Sequence, residues 1–461
     1  MPVTESQRVH QGEWPAMALS FVYFFCVLAA YYVIRPVREQ LAAAVGSTQL
    51  PWFFAATFAA TLVLTPVFAW LVAHWPRRVV VPVVYLFFMV CLVAFIPLFA
   101  RDGLISPRAL GIVFFVWVSV FNLFVVSVFW SFMADIWDEG QARRLFPLIG
   151  VAGTIGAIAG PVITRVLVDV IGVAPLLAVS AGLLGIALLC VLLLGRWSQR
   201  HDFGKQQHNQ PVGGGIFDGL KQIVATPFMR NMAILMLLGD AVGTICYALV
   251  TDYSKATFHD AVARTRFAAD LDMSTNLLMI LLQVTVTRIL LPRVGAGVVI
   301  AVWAAIGIVV CLAMAMSGNP NVPVFAISQG QASAWIAQIP DVPFLRSLIA
   351  QPIELLPTLS WVVLMLLVTR ATAYGMMQPA RESLYTLVPR SWRYKGKNAV
   401  DTAVWRAGDV ASALLVNALK SIGAAGTIFG LTGAAAIAVS GWIGWRTAAQ
   451  AQDARDAART D

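Results

Sequence analysis

Residues 381–409 read RESLYTLVPRSWRYKGKNAVDTAVWRAGD. This charged stretch lies between two apolar runs of membrane-spanning length, 361–379 and 411–435, each of which carries one charged residue. Its basic and acidic side chains are Arg381, Arg390, Arg393, Lys395, Lys397 and Arg406, with Glu382, Asp401 and Asp409. Charge at this density beside membrane-length segments must lie in water or line a wet cavity.

Two interpretations of the stretch are open. It is either a solvated cytoplasmic loop that fixes the topology, or a segment that helps to gate a solute pathway. Asp401 and Asp409 are two helical turns apart and can share one helix face. Arg406 precedes Asp409 by three residues, close enough for an ion pair on a helix. This spacing favours the gate in part.

The composition of the chain is that of a membrane protein with many spans. Of its 461 residues, 59% are hydrophobic and 12% are charged, whereas a soluble domain carries about 25% charged residues. The mean hydropathy is +0.78. The net charge of +9 is spread over short loops, so it does not predict a nucleic-acid partner.

The apolar runs predict an all-α protein with twelve transmembrane helices, since a span needs about 20 largely apolar residues. The expected spans are 15–45, 50–73, 79–100, 109–135, 145–171, 173–195, 230–252, 274–294, 297–316, 355–379, 400–420 and 423–445. Two polar interruptions define the domains. We expect a six-helix half at 1–195, a cytoplasmic linker at 196–230, and a second six-helix half at 231–461 with an outer insertion at 317–352.

The distribution of Lys and Arg predicts the orientation. Most basic loop residues fall on the side of the N-terminus, so we expect both termini in the cytoplasm of a bacterium and the spans in its inner membrane. In this arrangement Arg264 and Arg266 belong to an outer loop. The five cysteines lie inside apolar runs, and no HExxH, Cys/His cluster or phosphate-binding GxxxxGK[ST] motif occurs. We therefore expect no enzyme activity, no metal and no cofactor.

The first span contains the strongest candidates for solute binding. Arg35 and Arg38 are three residues apart in YYVIRPVREQ, residues 31–40, and share one helix face. Two guanidinium groups on one face can bind a phosphate or a carboxylate as a clamp. Glu39 can neutralise the pair when no solute is bound. The alternative is that these long side chains reach out to the membrane interface.

Candidates elsewhere in the first half lie on the fourth span and the loop after it. Asn122 and Trp130 are candidates for contact with solute, and Trp130 could equally be an interfacial anchor, which is the commoner role for Trp. Asp135, Arg143 and Arg144 are expected to form a salt-bridge latch in the following loop, together with Asp138 and Glu139. The fifth span carries a stripe of glycines, Gly150, Gly153, Gly156 and Gly160, which allows close helix packing.

In the second half, the candidates for solute binding or coupling include one acidic and one basic residue inside predicted spans. Asp240 lies well inside the seventh span and is a candidate for ion pairing or coupling. Arg370 and Tyr374 interrupt the tenth span, four apart and on one face, and Arg370 is a second candidate for binding an anion. Its alternative role is a structural pair with an acidic neighbour such as Asp240.

Three stretches resemble the ATP/ADP translocases, the nucleotide exchange carriers of bacteria and plastids, which are related to the major facilitator superfamily. They are YYVIRPVREQLAAAVG (31–46), FWSFMADIWDEGQARRLFPLIGVAGTIG (129–156) and YKGKNAVDTAVWRAGD (394–409). The resemblance implies two six-helix halves with a solute site between them. It implies that Arg35 and Arg38 meet phosphates, and that the cytoplasmic gate is shaped by Lys395, Lys397, Asp401 and Arg406. Family members have Lys and Asp where this chain has Arg38 and Glu39.

The predicted function is secondary transport by alternating access, with exchange of nucleotides or another phosphate-bearing anion. We expect a monomer in the lipid bilayer. The alternative is a proton-coupled permease for a non-nucleotide solute, with Asp240 or Glu39 as the coupling acid. A membrane scaffold that transports nothing is a third possibility. The residues expected to gate or couple transport are Glu39, Asp135, Arg143, Arg144, Asp240, Arg381, Lys395, Lys397, Asp401, Arg406 and Asp409.

Overall fold

A computed structural model describes residues 13–75, 77–100, 105–137, 139–200, 221, 223–340, 343–386, 388 and 396–460. The six helices of the first half are α1 (Trp14–Val45), α2 (Leu50–His74), α3 (Arg77–Ala100), α4 (Pro107–Ile136), α5 (Glu139–Ile171) and α6 (Ala174–Arg200). The ends of these helices differ from the predicted span limits by at most five residues, except that α5 begins six residues earlier than predicted. The linker 196–230 falls largely outside the described residues.

The second half contains longer and more interrupted helices. They are α7 (Pro227–Thr257), α8 (Ala261–Leu282), α9 (Arg288–Met316), α10 (Gln329–Ala337), α11 (Pro343–Leu355), α12 (Trp361–Thr372), α13 (Gln378–Tyr385), α14 (Lys397–Ala399), α15 (Trp405–Ser421) and α16 (Gly426–Thr460). The short helices α10 and α11 occupy the insertion 317–352, and Ser328 closes the start of α10 with a capping box.

The described residues contain the twelve predicted spans. Nine helical stretches are long and apolar enough to cross a membrane. One of them, Ala261–Met316, contains two helices that meet at Gly295, whose φ of 78° is left-handed. Two further spans, 361–385 and 397–421, consist of α-helices joined by π turns.

Three π turns interrupt the helices of the second half, at Gln283–Thr287, Ala373–Met377 and Val400–Val404. The first two touch each other, because Thr287 Oγ1 donates a hydrogen bond of 2.6 Å to the Gly375 carbonyl oxygen. A π turn shifts the phase of a helix. The expectation that Arg370 and Tyr374 share a face, and likewise Asp401 and Asp409, rested on uninterrupted α-helical spacing, and each of these two ranges includes part of a π turn.

The chain divides into two compact units. The first comprises the described residues within 1–44, 59–210 and 258–273, and the second those within 45–58, 211–257 and 274–461. The start of α8 thus belongs to the first unit although it follows the linker in sequence.

Close packing of α5 on α1 positions the first span inside the first unit. An added Cβ at Gly156 would lie 2.5 Å from the Phe25 carbonyl oxygen, and one at Gly160 would lie 2.5 Å from Tyr32 Cβ. Thr164 Oγ1 donates a 2.9 Å hydrogen bond to the Val33 carbonyl oxygen one turn further along. Gly156 and Gly160 therefore bring the two helix backbones together as predicted, whereas Gly150 has no neighbouring atom within 4 Å of an added Cβ.

Aromatic side chains fill the other side of α1. The rings of Phe24 and Phe129 stack with their centroids 4.2 Å apart. The buried hydroxyl groups of Tyr23 and Tyr85 are 2.5 Å apart, and Tyr85 also donates to the Val125 carbonyl oxygen. Helix α1 is consequently held by α3, α4 and α5, which fixes the backbone that carries Arg35 and Arg38.

Candidate functional site

Arg35 is buried in the first unit, with a relative exposure of 7%. Its Nη1 lies 2.8 Å from Asp272 Oδ1, and its guanidinium lies over the ring of Tyr32 at 5.6 Å. A side chain that reached out to the membrane interface would be exposed, so this alternative is wrong for Arg35. Helix α1 instead directs the guanidinium to an acid on α8.

Arg38 and Glu39 lie about one turn after Arg35 on α1. Arg38 Nη2 is 2.5 Å from Glu39 Oε1, and its guanidinium lies 4.7 Å from the ring centroid of Phe115. The same Glu39 oxygen lies 3.8 Å from Arg35 Nε. One carboxylate thus contacts both guanidinium groups, as the sequence predicted for the neutralising role of Glu39.

Helix α8 contributes acids that the sequence analysis missed. It begins at Ala261, thirteen residues before the predicted span, and its start had been assigned to an outer loop. This assignment was wrong: Arg264, Arg266, Asp270 and Asp272 all lie on the helix. Asp270 and Asp272 are 6% and 4% exposed.

A second chain of ion pairs joins α5 to α8. Arg165 contacts Asp270 at 3.2 Å and Asp169 at 3.1 Å. Asp169 also pairs with Arg266, and this end is the more exposed one. The two chains of pairs together contain four basic and four acidic side chains.

Charge balance explains how so polar a segment can be a membrane helix. An isolated charge inside a bilayer is costly, and it is tolerated where it is paired within the protein. The segment AVARTRFAADLDM (261–273) has the composition of a loop, but its acids face basic residues of α1 and α5. The available signal was the spacing of Arg165 and Asp169, four apart near the end of a predicted span.

Asn122 and Trp130, the other predicted solute contacts in this unit, differ in their surroundings. Asn122 is half-buried in α4, and its side chain makes no hydrogen bond within the described part of the chain. The ring of Trp130 packs edge-on against Phe24, Phe129 and Phe146. The geometry leaves the Asn122 amide available to a ligand and gives Trp130 a packing role.

The predicted latch after the fourth span is formed differently for Arg144. Its Nη2 lies 3.1 Å from Glu13 Oε1, and Gln141 donates a 2.9 Å hydrogen bond to the same oxygen. The cation is therefore held by the start of α1. Asp135 is exposed. Asp138 and the side chains of Glu139 and Arg143 lie outside the described residues.

In the second unit, Arg381 is fully buried, with 0% exposure. Its Nη1 lies 2.8 Å from Asp401, its Nη2 lies 3.1 Å from Glu382, and Glu382 also pairs with Lys397 at 2.6 Å. The solvated-loop interpretation is wrong for this side chain, because 381–385 and 397–409 are helical and meet through these pairs. Lys395, Arg390 and Arg393 lie outside the described residues.

The surroundings of Asp240 and Arg370 do not match the structural pair suggested by the sequence. The Oδ2 atom of Asp240 is buried and accepts no hydrogen bond from any described residue. Arg370 is half-buried in α12 and forms no ion pair with any residue the structure describes.

Two further predictions concern neighbouring side chains in this unit. The ion pair between Arg406 and Asp409 is present, with a distance of 3.3 Å. Tyr374 lies on a π turn, is 37% exposed, and its carbonyl oxygen accepts a hydrogen bond from Gln283.

Comparisons with known proteins found likeness only in structure. No protein-family model matches the chain, and no curated protein matches it in sequence. Among solved structures, the nucleoside transporter NupG is 15% identical with a TM-score of 0.57, covering 95% of this chain and 99% of its own.

Two other solved transporters match over nearly the whole chain. A POT family transporter in complex with 5-aminolevulinic acid is 12% identical with a TM-score of 0.58, covering 92% of this chain and 94% of its own. A D-xylose-proton symporter is 11% identical with a TM-score of 0.56, covering 93% and 97%. At these identities the likeness shows the fold alone.

The chain is therefore an all-helical integral membrane protein with the major facilitator fold. Nine helical stretches of the described residues are long and apolar enough to cross a membrane, and helices cover most of each of the twelve spans predicted from the sequence. The resemblance to the ATP/ADP translocases concerns one particular family, which the structural similarity does not test, and it stays a prediction.

Proposed function

We propose that this chain is a secondary transporter that works by alternating access and carries a small anion, with Arg35 and Arg38 as the central ligands. The observation that carries the proposal is the burial of two guanidinium groups on one turn of α1, with protein carboxylates as their partners. Buried ionisable groups in membrane spans are rare and mark solute and ion pathways.

The geometry supports a phosphate-bearing anion, and exchange of ATP and ADP is the specific candidate. Glu39 shares one carboxylate oxygen between Arg35 and Arg38. An entering phosphate that displaces this carboxylate gains two guanidinium groups, each able to donate two hydrogen bonds in a fork. Asn122 adds an amide that can donate to or accept from the polar part of the solute.

The helical parts of 381–409 have the features of a gate in the proposed transporter. Arg381, Glu382, Lys397 and Asp401 join α13 to the helix that follows, through pairs of 2.6 to 3.1 Å. Such a cluster can break and reform as helices move. We place this gate at the cytoplasmic face of a bacterial inner membrane, with both termini in the cytoplasm, since the basic loop residues favour that side.

The test is uptake of labelled ATP into proteoliposomes preloaded with ADP. Replacing Arg35 alone would leave Asp272 buried without its 2.8 Å partner. The informative variant is therefore Arg35→Gln/Asp272→Asn, which removes a cation and an anion together. We expect its uptake to fall roughly tenfold or more, because a hydrogen bond to a charged group contributes about 1.5–3 kcal/mol.

The matched control is Arg266→Gln/Asp169→Asn, which removes an ion pair from the exposed end of the second chain of pairs. We expect it to keep wild-type uptake that depends on internal ADP. Equal uptake by the two double variants would show that Arg35 is not part of the binding site. If folded wild-type protein took up another anion but no ATP, nucleotides would be rejected as the solute. The proposal of an anion site would still stand.

A proton-coupled permease for a non-nucleotide solute is the second candidate. The specific observation is that Glu39 contacts both arginines, so that a proton on this carboxylate would release them for solute. Uptake driven by a pH gradient, without any internal nucleotide, would favour this function. A scaffold that transports nothing predicts that Gln at positions 35 and 38 leaves every phenotype intact, and the burial of these charges argues against it.

A further inference from the structure

The first part of the insertion, residues 317–340, has a composition unlike that of a loop in water. It contains no charged side chain. A soluble domain carries about 25% charged residues, so a water-exposed segment of this length would hold about six. Charged side chains are disfavoured where a segment leaves water. The composition therefore indicates that part of this segment lies against something other than water.

The start of this segment is hydrogen-bonded to the start of a membrane span. The Val324 amide donates a 2.8 Å hydrogen bond to the Leu359 carbonyl oxygen, and the Val362 amide donates a 3.1 Å hydrogen bond to the Pro320 carbonyl oxygen. Val362 is the second residue of α12. The headgroup layer of a bilayer is about 5–8 Å thick on each side of the hydrocarbon. These bonds therefore place the start of the segment at the level of the membrane surface.

Large hydrophobic side chains are exposed along the same segment. Val322 is 49% exposed, Phe325 is 46% exposed and Trp335, on α10, is 45% exposed. About half of each side chain is thus left uncovered by the described protein. Trp is enriched where a membrane meets water, because its ring is apolar and its N–H group can still donate a hydrogen bond. These exposures match the position that the backbone hydrogen bonds give to the segment.

Helix α10 has two different exposed sides. Ala332 is buried and marks the side that faces the protein. Ser333 and Trp335 are both exposed, and they lie about 160° apart around the helix because a turn contains 3.6 residues. Gln331 and Gln338 flank Trp335, and their uncharged amides can hydrogen-bond to lipid headgroups. A helix with these two sides fits a position in the plane of the membrane surface.

We propose that residues 317–340 bind the surface of the lipid bilayer, with Phe325 and Trp335 in the boundary between headgroups and acyl chains and with Ser333 facing water. Lipid is the partner because the segment continues directly from the start of α12, which lipid already surrounds. The segment has no charge, so its contact with the bilayer needs no anionic lipid and is insensitive to salt. The contact is made whichever solute is carried, so it goes beyond the proposed function.

The experiment is spin labelling of single added cysteines in phosphatidylcholine nanodiscs that hold one protein each. The five native cysteines lie within helices, and the unsubstituted protein gives the background signal. We expect a nitroxide at Trp335→Cys or Phe325→Cys to be more accessible to oxygen, which partitions into lipid, than to a water-soluble nickel chelate. The matched control is Ser333→Cys, an exposed position on the same helix, where we expect the opposite order. We expect no change when phosphatidylglycerol, an anionic lipid, is added.

Oxygen preference at the two hydrophobic positions, with nickel preference at Ser333→Cys, would support the proposal. Nickel preference at either hydrophobic position in a folded variant would overturn it. Low accessibility to both reagents would also overturn it, because protein would then cover the side chain. So would oxygen preference at Ser333→Cys, because α10 would then lie within the hydrocarbon.

The two hydrophobic positions lie on separate parts of the segment, so one folded variant and the control are sufficient to decide. One protein in each nanodisc removes a second copy as the source of protection. Transport is not measured here, so this result is independent of the fate of the anion proposal.

Discussion

The paired charges of α1, α5 and α8 in the first unit contrast with the surroundings of Asp240 in the second unit. In the first unit, each buried cation contacts an acid, and the pairs join equal numbers of basic and acidic side chains. In the second unit, Arg381 and Lys397 are balanced by Asp401 and Glu382, but the buried Oδ2 atom of Asp240 accepts no hydrogen bond from any described residue. Arg370, in the same unit, has no ionic partner among the described residues.

Balanced buried ion pairs support the fold, whereas a buried charged group without a balancing partner can change its protonation or bind a ligand. A balanced buried pair is destabilised strongly when one member is removed. An unbalanced group must instead bind a proton, an ion or a solute to satisfy its charge. We therefore expect substitution of one member of a balanced buried pair to lower stability more than substitution of Asp240 does.

The largest effect is expected for single substitutions of the pair between α1 and α8. Either Arg35→Gln or Asp272→Asn leaves an unpaired buried charge, so each should lower the free energy of unfolding by about 3–5 kcal/mol. Thermal unfolding in detergent measures this loss. The double variant Arg35→Gln/Asp272→Asn should recover most of the stability, and a double variant as unstable as the sum of the singles would contradict the pairing.

A smaller loss is expected where α5 packs on α1. A Cβ at Gly156 would meet the carbonyl oxygen of Phe25 at 2.5 Å, and this backbone atom cannot rotate away. Gly156→Ala should cost about 1–3 kcal/mol through overpacking. The matched control is Gly150→Ala, because no neighbouring atom lies within 4 Å of an added Cβ there. Similar unfolding temperatures for both variants would show that the α1–α5 contact is looser than described.

The contrast between Asp240 and the paired acid Asp272 would fail if Asn at either position lowered the free energy of unfolding equally. Asn resembles a protonated Asp in shape and hydrogen-bonding capacity. Because no described residue donates a hydrogen bond to the buried Oδ2 atom of Asp240, Asp240→Asn should change the free energy of unfolding by no more than about 1 kcal/mol, the size of one hydrogen bond. Chemical unfolding of both Asn variants under identical conditions checks this. A loss as large as that of Asp272→Asn would mean that Asp240 is ionised and paired.

The smallest effect is expected at the exposed end of the charged chain. Arg266 is 41% exposed, and its partner Asp169 is 35% exposed. Replacing Arg266 by Gln should cost about 0–1 kcal/mol, and added salt should reduce even this difference. Unfolding curves at low and high salt measure it. A large, salt-independent loss would show that the balanced network depends on its surface end.

The sequence predicted the spans well because apolar length is a strong signal. It also identified Arg35, Arg38 and Glu39, since charge inside an apolar run is visible without any tertiary information. It failed at α8, where Asp270 and Asp272 are stabilised by partners on other helices. Partners that are more than a hundred residues apart in sequence cannot be recognised by local pattern.

Helix irregularity limited the remaining predictions. The π turns at 373–377 and 400–404 have no clear signature in the sequence, so the expected common faces of Arg370 with Tyr374 and of Asp401 with Asp409 could not be corrected in advance. The pair of Arg406 and Asp409 was predicted because it depends on local spacing alone. The hydrogen bond from Thr244 to Asp409 depends instead on how α7 and α15 pack.

The most direct test of the anion site is the thermal stability of the purified protein with added ATP, ADP or inorganic phosphate. A ligand that binds the folded state alone stabilises it by about 2.7 kcal/mol at roughly 100 times its Kd. We expect at least one of these anions to raise the Tm of the wild type, and to leave the Tm of Arg35→Gln/Asp272→Asn unchanged. The same rise in both proteins would contradict the account, because the anion would then bind without Arg35.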